Sequence, residues 1–186
     1  MRKRERGYSL PELLTVVAIV GLVALVSIPA IFQLTPQYRV RSVTGEIAAV
    51  LRMARQNALS TRRAWRVTFN TTGRRYALHM VRNPTAALSS STNWVPIGSN
   101  NRPTSAGNVW RTIGTMTVTS SGFNDVDGGS SGIDIIFKHD GQLDTSCYST
   151  TNPNVRLHVN NNLVRYNTYY LRVLPSGFVS TDQTKE

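Results

Sequence analysis

The stretch Gly7-Tyr8-Ser9-Leu10-Pro11-Glu12-Leu13-Leu14-Thr15-Val16-Val17-Ala18-Ile19-Val20-Gly21-Leu22-Val23-Ala24-Leu25-Val26-Ser27-Ile28-Pro29-Ala30-Ile31-Phe32 organises the chain. Four basic residues, Arg2, Lys3, Arg4 and Arg6, precede it with one acid, Glu5. From Leu13 to Tyr38 there is no charged side chain. A membrane-spanning helix needs about 20 mostly apolar residues, so this run is long enough. Glu12 stands at its entrance.

A secretory signal combines a basic start, an apolar core of roughly 7–15 residues and a small-residue cleavage site. This core is longer, and no Ala-x-Ala pattern closely follows it. A plain signal anchor fits the length and the basic flank. It leaves the Gly-Tyr-Ser-Leu-Pro-Glu sequence before the apolar core unexplained.

Gly7 to Leu14, with Val16-Val17-Ala18-Ile19-Val20-Gly21-Leu22 after it, resembles the class III signal of type IV pilins and type II secretion pseudopilins. The resemblance implies that a prepilin peptidase cuts after Gly7 and that Tyr8 becomes the N-methylated first residue. Tyr8 replaces the usual Phe, and Pro11 replaces the usual branched aliphatic before the glutamate. A helix starting at Tyr8 leaves its first four N–H groups without intrahelical partners, so Pro11 removes no helical hydrogen bond. Glu12 is favoured by the helix dipole. At the bilayer centre it would cost on the order of 2.5–3.5 kcal/mol. The resemblance supplies a partner for it: the free N-terminal amine of a neighbouring subunit during filament assembly.

The 186 residues suit one domain plus an anchor, and the formal charge is +11. From Tyr8 onward 17 basic residues face 9 acidic ones, so the cut form stays basic. Such a balance suits nucleic acid, an anionic surface or an acidic partner protein. The lone cysteine, Cys147, cannot form an internal disulfide and reads as a small loop or core residue. The basic start stays in the cytoplasm by the positive-inside rule. Taken with the resemblance, which implies the cut, these features divide the chain into a cleaved leader at 1–7, a transmembrane N-terminal helix at 8–36 and a globular domain at 37–186. The expected location is the bacterial inner membrane, with one pass and a periplasmic domain, and then a pilus or pseudopilus.

Pro29 and Pro36 lie where the anchor would leave the membrane, and each is expected to kink a helix or open a few of its bonds. Beyond them Val40, Val43, Ile47, Leu51, Ala54 and Ala58 recur at intervals of three and four, an amphipathic helix ending near 60–63. Its apolar face needs a cover, and a sheet is the natural one. Trp65, Val67 and Phe69 alternate with polar residues, Asn70-Thr71-Thr72-Gly73 turns, and Tyr76, Leu78 and Met80 return. That is a hairpin. Residues 82–108 read as a long surface loop with a short strand near Trp94–Ile97. One or two strands are expected over 109–119, a polar loop over 120–132, and strands around Ile133–Phe137, Val155–Val159 and Leu163–Leu174. Ser176-Gly177-Phe178-Val179 then closes the chain, with a polar tail behind it. The class is α+β with antiparallel sheet.

This order is similar to the GspH/FimT group of minor pilins and pseudopilins. The matching residues are Ala54-Arg55-Gln56-Asn57-Ala58-Leu59-Ser60 at the helix end and the Val67 strand. Ile135-Ile136-Phe137-Lys138-His139-Asp140-Gly141 and Leu171-Arg172-Val173-Leu174-Pro175-Ser176-Gly177 match as well. The resemblance implies a structural subunit whose partners are other pilins, met through the N-terminal helix, and the prepilin peptidase.

No catalytic residue, cofactor or metal site is indicated. His79, His139 and His158 are scattered, and neither Gly-x-Ser-x-Gly nor His-Glu-x-x-His occurs. Asn124-Asp125-Val126-Asp127-Gly128 is oxygen-rich but lacks the Glu twelve residues into an EF-hand loop. The other charged feature is a run of arginines: Arg52, Arg55, Arg62, Arg63, Arg66, Arg74, Arg75 and Arg82, with no acid among them. A solvated polar face accounts for such a run. So does pairing with acidic neighbours in a filament tip. The alternative function is DNA capture through phosphate contacts, as a minor pilin for natural transformation. Some competence-linked members of the group bind DNA through a Gly-Arg-x-Arg turn near the C-terminus. Here that turn reads Gly177-Phe178-Val179-Ser180, without the arginines.

Overall fold

The computed structural model describes residues 9–105, 107–114, 116–121, 123, 132–148, 155–160 and 167–185. For 26–37, 91, 120, 121, 155, 167, 168 and 182–185 that description is of the backbone alone. The chain forms two compact units, Met1–Tyr38 and Arg39–Glu186.

The helix α1 runs Leu10–Thr61, close to the expected span. At its start the Ser9 carbonyl accepts hydrogen bonds from the Glu12 and Leu13 amides, at 3.0 and 3.2 Å. Pro11 sits in this first turn, where its missing N–H costs nothing. The helix continues through Pro29 and Pro36. In the first unit the large apolar residues described between Leu10 and Leu25 are 53–75% exposed. At the other end Arg62 takes a left-handed conformation, φ 51°, and ends the helix.

In the second unit, Val40, Ile47, Leu51, Ala54 and Ala58 are buried in one core, with Val43 packed on its margin. The stripe read from the sequence is therefore the buried face. Its cover is a five-stranded antiparallel sheet built from β1 (Trp65–Asn70), β2 (Arg75–Val81), β3 (Trp94–Pro96), β4 (Arg111–Thr112) and β6 (Gly132–Phe137), in the order β3-β2-β1-β6, with β4 also on β2. Asn70 Oδ1 accepts from the Gly73 amide at 2.6 Å, and Arg74 at φ 49° completes the hairpin turn. The Tyr76 hydroxyl donates to Glu46 Oε1 at 3.1 Å, which fixes the face turned to the helix. Tyr76, Val67, Phe69, Leu78, Ile133 and Ile135 fill it.

The opposite face of this sheet is also closed. Ile136 and Asp134 are buried, although the alternation Ile133, Ile135, Phe137 predicts a half-exposed strand. Trp94 covers that side, its indole nitrogen held by the Leu88 carbonyl at 3.2 Å. A loop rich in Ser, Asn and Pro thus contributes a lid to the core.

A second antiparallel sheet has the order β5 (Thr117–Ser121), β7 (Val155–Asn160), β8 (Asn167–Val173) and β9 (Val179–Lys185). The last of these corrects the sequence reading, which ends the ordered chain in a polar tail. Strand β9 pairs with β8 from Val173↔Val179 to Asn167↔Lys185. Its sequence, Val-Ser-Thr-Asp-Gln-Thr-Lys, lacks an apolar alternation because an edge strand is held chiefly by its main-chain bonds and is protected by polar residues.

Candidate functional site

The N-terminal signal comes first. Gly7 and Tyr8 lie outside the described residues. Glu12 lies in the first turn of α1 with its side chain exposed. Among the described residues its carboxylate has no ion pair. An acid with no ion pair among the described residues thus opens an apolar, exposed helix. Among the described residues no helix is long and apolar enough to cross a membrane; the side chains described in the first unit run from Ser9 to Leu25.

Arg52, Arg55, Arg62, Arg63, Arg66, Arg74 and Arg75 occupy four settings. Arg52 and Arg55 bind the body of the domain. Arg55 Nε donates to the Gly141 carbonyl at 3.1 Å, and its Nη2 to the Ser176 carbonyl at 3.3 Å. Arg52 Nη2 donates to the Val179 carbonyl at 3.3 Å. They line a cleft of about 190 Å³ with Gln56, Gly177, Phe178 and Val179, and Phe178 is 55% exposed at its rim. Arg62, Arg63 and Arg74 are exposed at the helix end and hairpin turn. Arg75 stacks on Trp110, its guanidinium carbon 4.6 Å from the ring centre.

Arg66 departs from the expected surface cluster. It is 5% exposed, faces Asp134 at 3.8 Å and lies 4.7 Å over the Trp94 ring. Thr68 Oγ1 donates to Asp134 Oδ1 at 2.6 Å. The arginine run holds no acid in sequence, but strand pairing places Asp134 opposite Thr68, beside Arg66. Arg66 is therefore a member of the buried layer beneath Trp94 and offers no surface to a partner.

The remaining reactive groups are placed structurally. Cys147 is fully buried, and burial above all pushes its thiol up to about 12. At neutral pH it is protonated and a poor nucleophile. His79 is buried, with Nε2 2.9 Å from Asn108 Oδ1. Among the described residues no three His, Cys, Asp or Glu gather as a metal site, and 124–128 lie outside the described residues.

The model of the prokaryotic N-terminal methylation motif matches residues 2–28. The model of the type II transport protein GspH matches residues 43–177, well over half of the chain. The chain belongs to the GspH family. It is a minor pilin or pseudopilin, of the kind found in type IV pili and type II secretion systems. Its fold is similar to that of the minor pseudopilin EpsH from the type II secretion system of Vibrio cholerae. That likeness has a TM-score of 0.50 and 8% identity, and covers 79% of this chain and 94% of that one. The type IV minor pilin FimU of Pseudomonas aeruginosa matches with a TM-score of 0.49 and 16% identity, over 80% of this chain and 91% of that one. No curated protein matches the chain.

Proposed function

We propose that this GspH-family subunit is made as a precursor, cut by a prepilin peptidase after Gly7 and N-methylated on Tyr8. It then enters a filament through its N-terminal helix. The observation that carries the reading is the match of the methylation motif to 2–28, directly over the exposed apolar start of α1 and the exposed Glu12 of its first turn. Residues 8–36 hold the subunit in the inner membrane, with the leader cytoplasmic and the domain at 37–186 periplasmic. In the filament the apolar helices pack together, and Glu12 pairs with the N-terminal amine of the adjacent subunit. A buried carboxylate without a cation is expensive, so the pair sets the register between neighbouring helices.

Glu12→Ala tests the assembly step. The variant is expected to insert in the membrane as the wild type does and to be lost from sheared filaments. Normal incorporation would remove the role of Glu12.

A further inference from the structure

On one face of the second sheet two arginines stand opposite each other. In the register between β7 and β8, Arg156 stands opposite Arg172 and His158 opposite Tyr170. Leu157, Val159, Leu171 and Val173 alternate with them and are buried, so these four lie on the other face, half-buried. Directly opposed residues of an antiparallel pair have Cβ atoms about 4.5–5.5 Å apart, where like charges are destabilising. Among the described residues neither guanidinium has a hydrogen bond or an ion pair. In the register of the flanking strands, position 121 (Ser) stands opposite Arg156 and Ser180 opposite Arg172. Asp182 stands in the next row, opposite Tyr170. The His158 ring meets Tyr170 edge-on at 4.6 Å, and burial, then Arg156, lowers its pKa, so it stays neutral at pH 7.

We propose that Arg156 and Arg172 form a clamp for a carboxylate side chain of a neighbouring filament subunit. The proposal rests on the reading of this chain as an assembling pilin. A carboxylate has two oxygens and accepts from both guanidiniums at once, which turns the repulsion of the facing pair into attraction. The patch is short. The sheet's other basic residue, Lys185, is in register with Asn167 at the far end, and Asp182 interrupts the next row. A nucleic-acid backbone calls for cations along its length; one acidic side chain does not.

The test uses the full chain in detergent and a fluorescent hexaglutamate peptide at low salt, followed by anisotropy. A labelled oligonucleotide of equal charge is the comparison. Arg156→Gln/Arg172→Gln should weaken peptide binding at least about tenfold. Arg62→Gln/Arg74→Gln, at two exposed positions, should leave it within about twofold. The Arg156/Arg172 variant should also melt no lower than wild type, because a repulsion has been removed. No wild-type binding, equal binding by both variants, or tighter oligonucleotide binding through Arg156 and Arg172 would overturn the clamp. This readout needs no filament. Its failure rejects the clamp alone, whereas absence of the wild-type chain from sheared filaments rejects the reading beneath it.

Discussion

Gly177 lies against Gly141 so closely that a Cβ on it would be driven into the Gly141 carbonyl oxygen. Both have left-handed backbones, φ 77° and 76°, and the same carbonyl accepts from Arg55. Two turns far apart in sequence thus meet under one helical arginine. Gly177→Ala meets both the left-handed penalty and a backbone clash, and should destabilise by more than about 2 kcal/mol. Gly114→Ala has the same sign of φ but open space around it, and should cost about 1 kcal/mol. Urea unfolding of both variants checks the difference.

Arg55→Ala removes two hydrogen bonds from a charged donor to these turns. The side chain is half-buried, so a loss of about 1–3 kcal/mol is expected. Arg55→Lys cannot reproduce the forked geometry and should recover less than half of it. Thermal unfolding of the three proteins reads the order.

The Arg66–Asp134 pair is buried beneath Trp94. Asp134→Leu alone strands a buried guanidinium and should cost about 3–5 kcal/mol. Arg66→Leu/Asp134→Leu removes both charges, and should be more stable than the single variant. A double variant no better than the single one, by denaturant unfolding, would contradict this assignment.

Cys147 makes stability depend on alkaline pH. Its folded pKa, about 12, lies above the ordinary value of 9.0. The native state therefore holds the proton more tightly, and the stabilisation is fully present below about pH 9. It falls as pH rises from there towards 12, by about 1.4 kcal/mol per unit. Subtracting the profile of Cys147→Ala from that of the wild type should leave this slope.

Where side-chain pattern governs, the sequence is readable. Val40, Ile47, Leu51 and Ala54 announce the buried stripe of α1, and Trp65 to Met80 announce a hairpin, because each element is apolar on its core side. Strand β9 escapes such reading: its pairing lies in main-chain groups that every residue shares. The fate of Arg66 escapes as well. Asp134 is distant in sequence, and only the β1–β6 register joins them. The facing of Arg156 and Arg172 is likewise a product of register and leaves no local motif. The N-terminal methylation motif is the opposite case, since its residues lie along one continuous segment, 2–28.

Intact mass of the protein extracted from membranes tests the central claim most directly. Processing after Gly7 predicts one species that begins at Tyr8 and carries one added methyl group. A species that retains Met1 to Gly7 would contradict it.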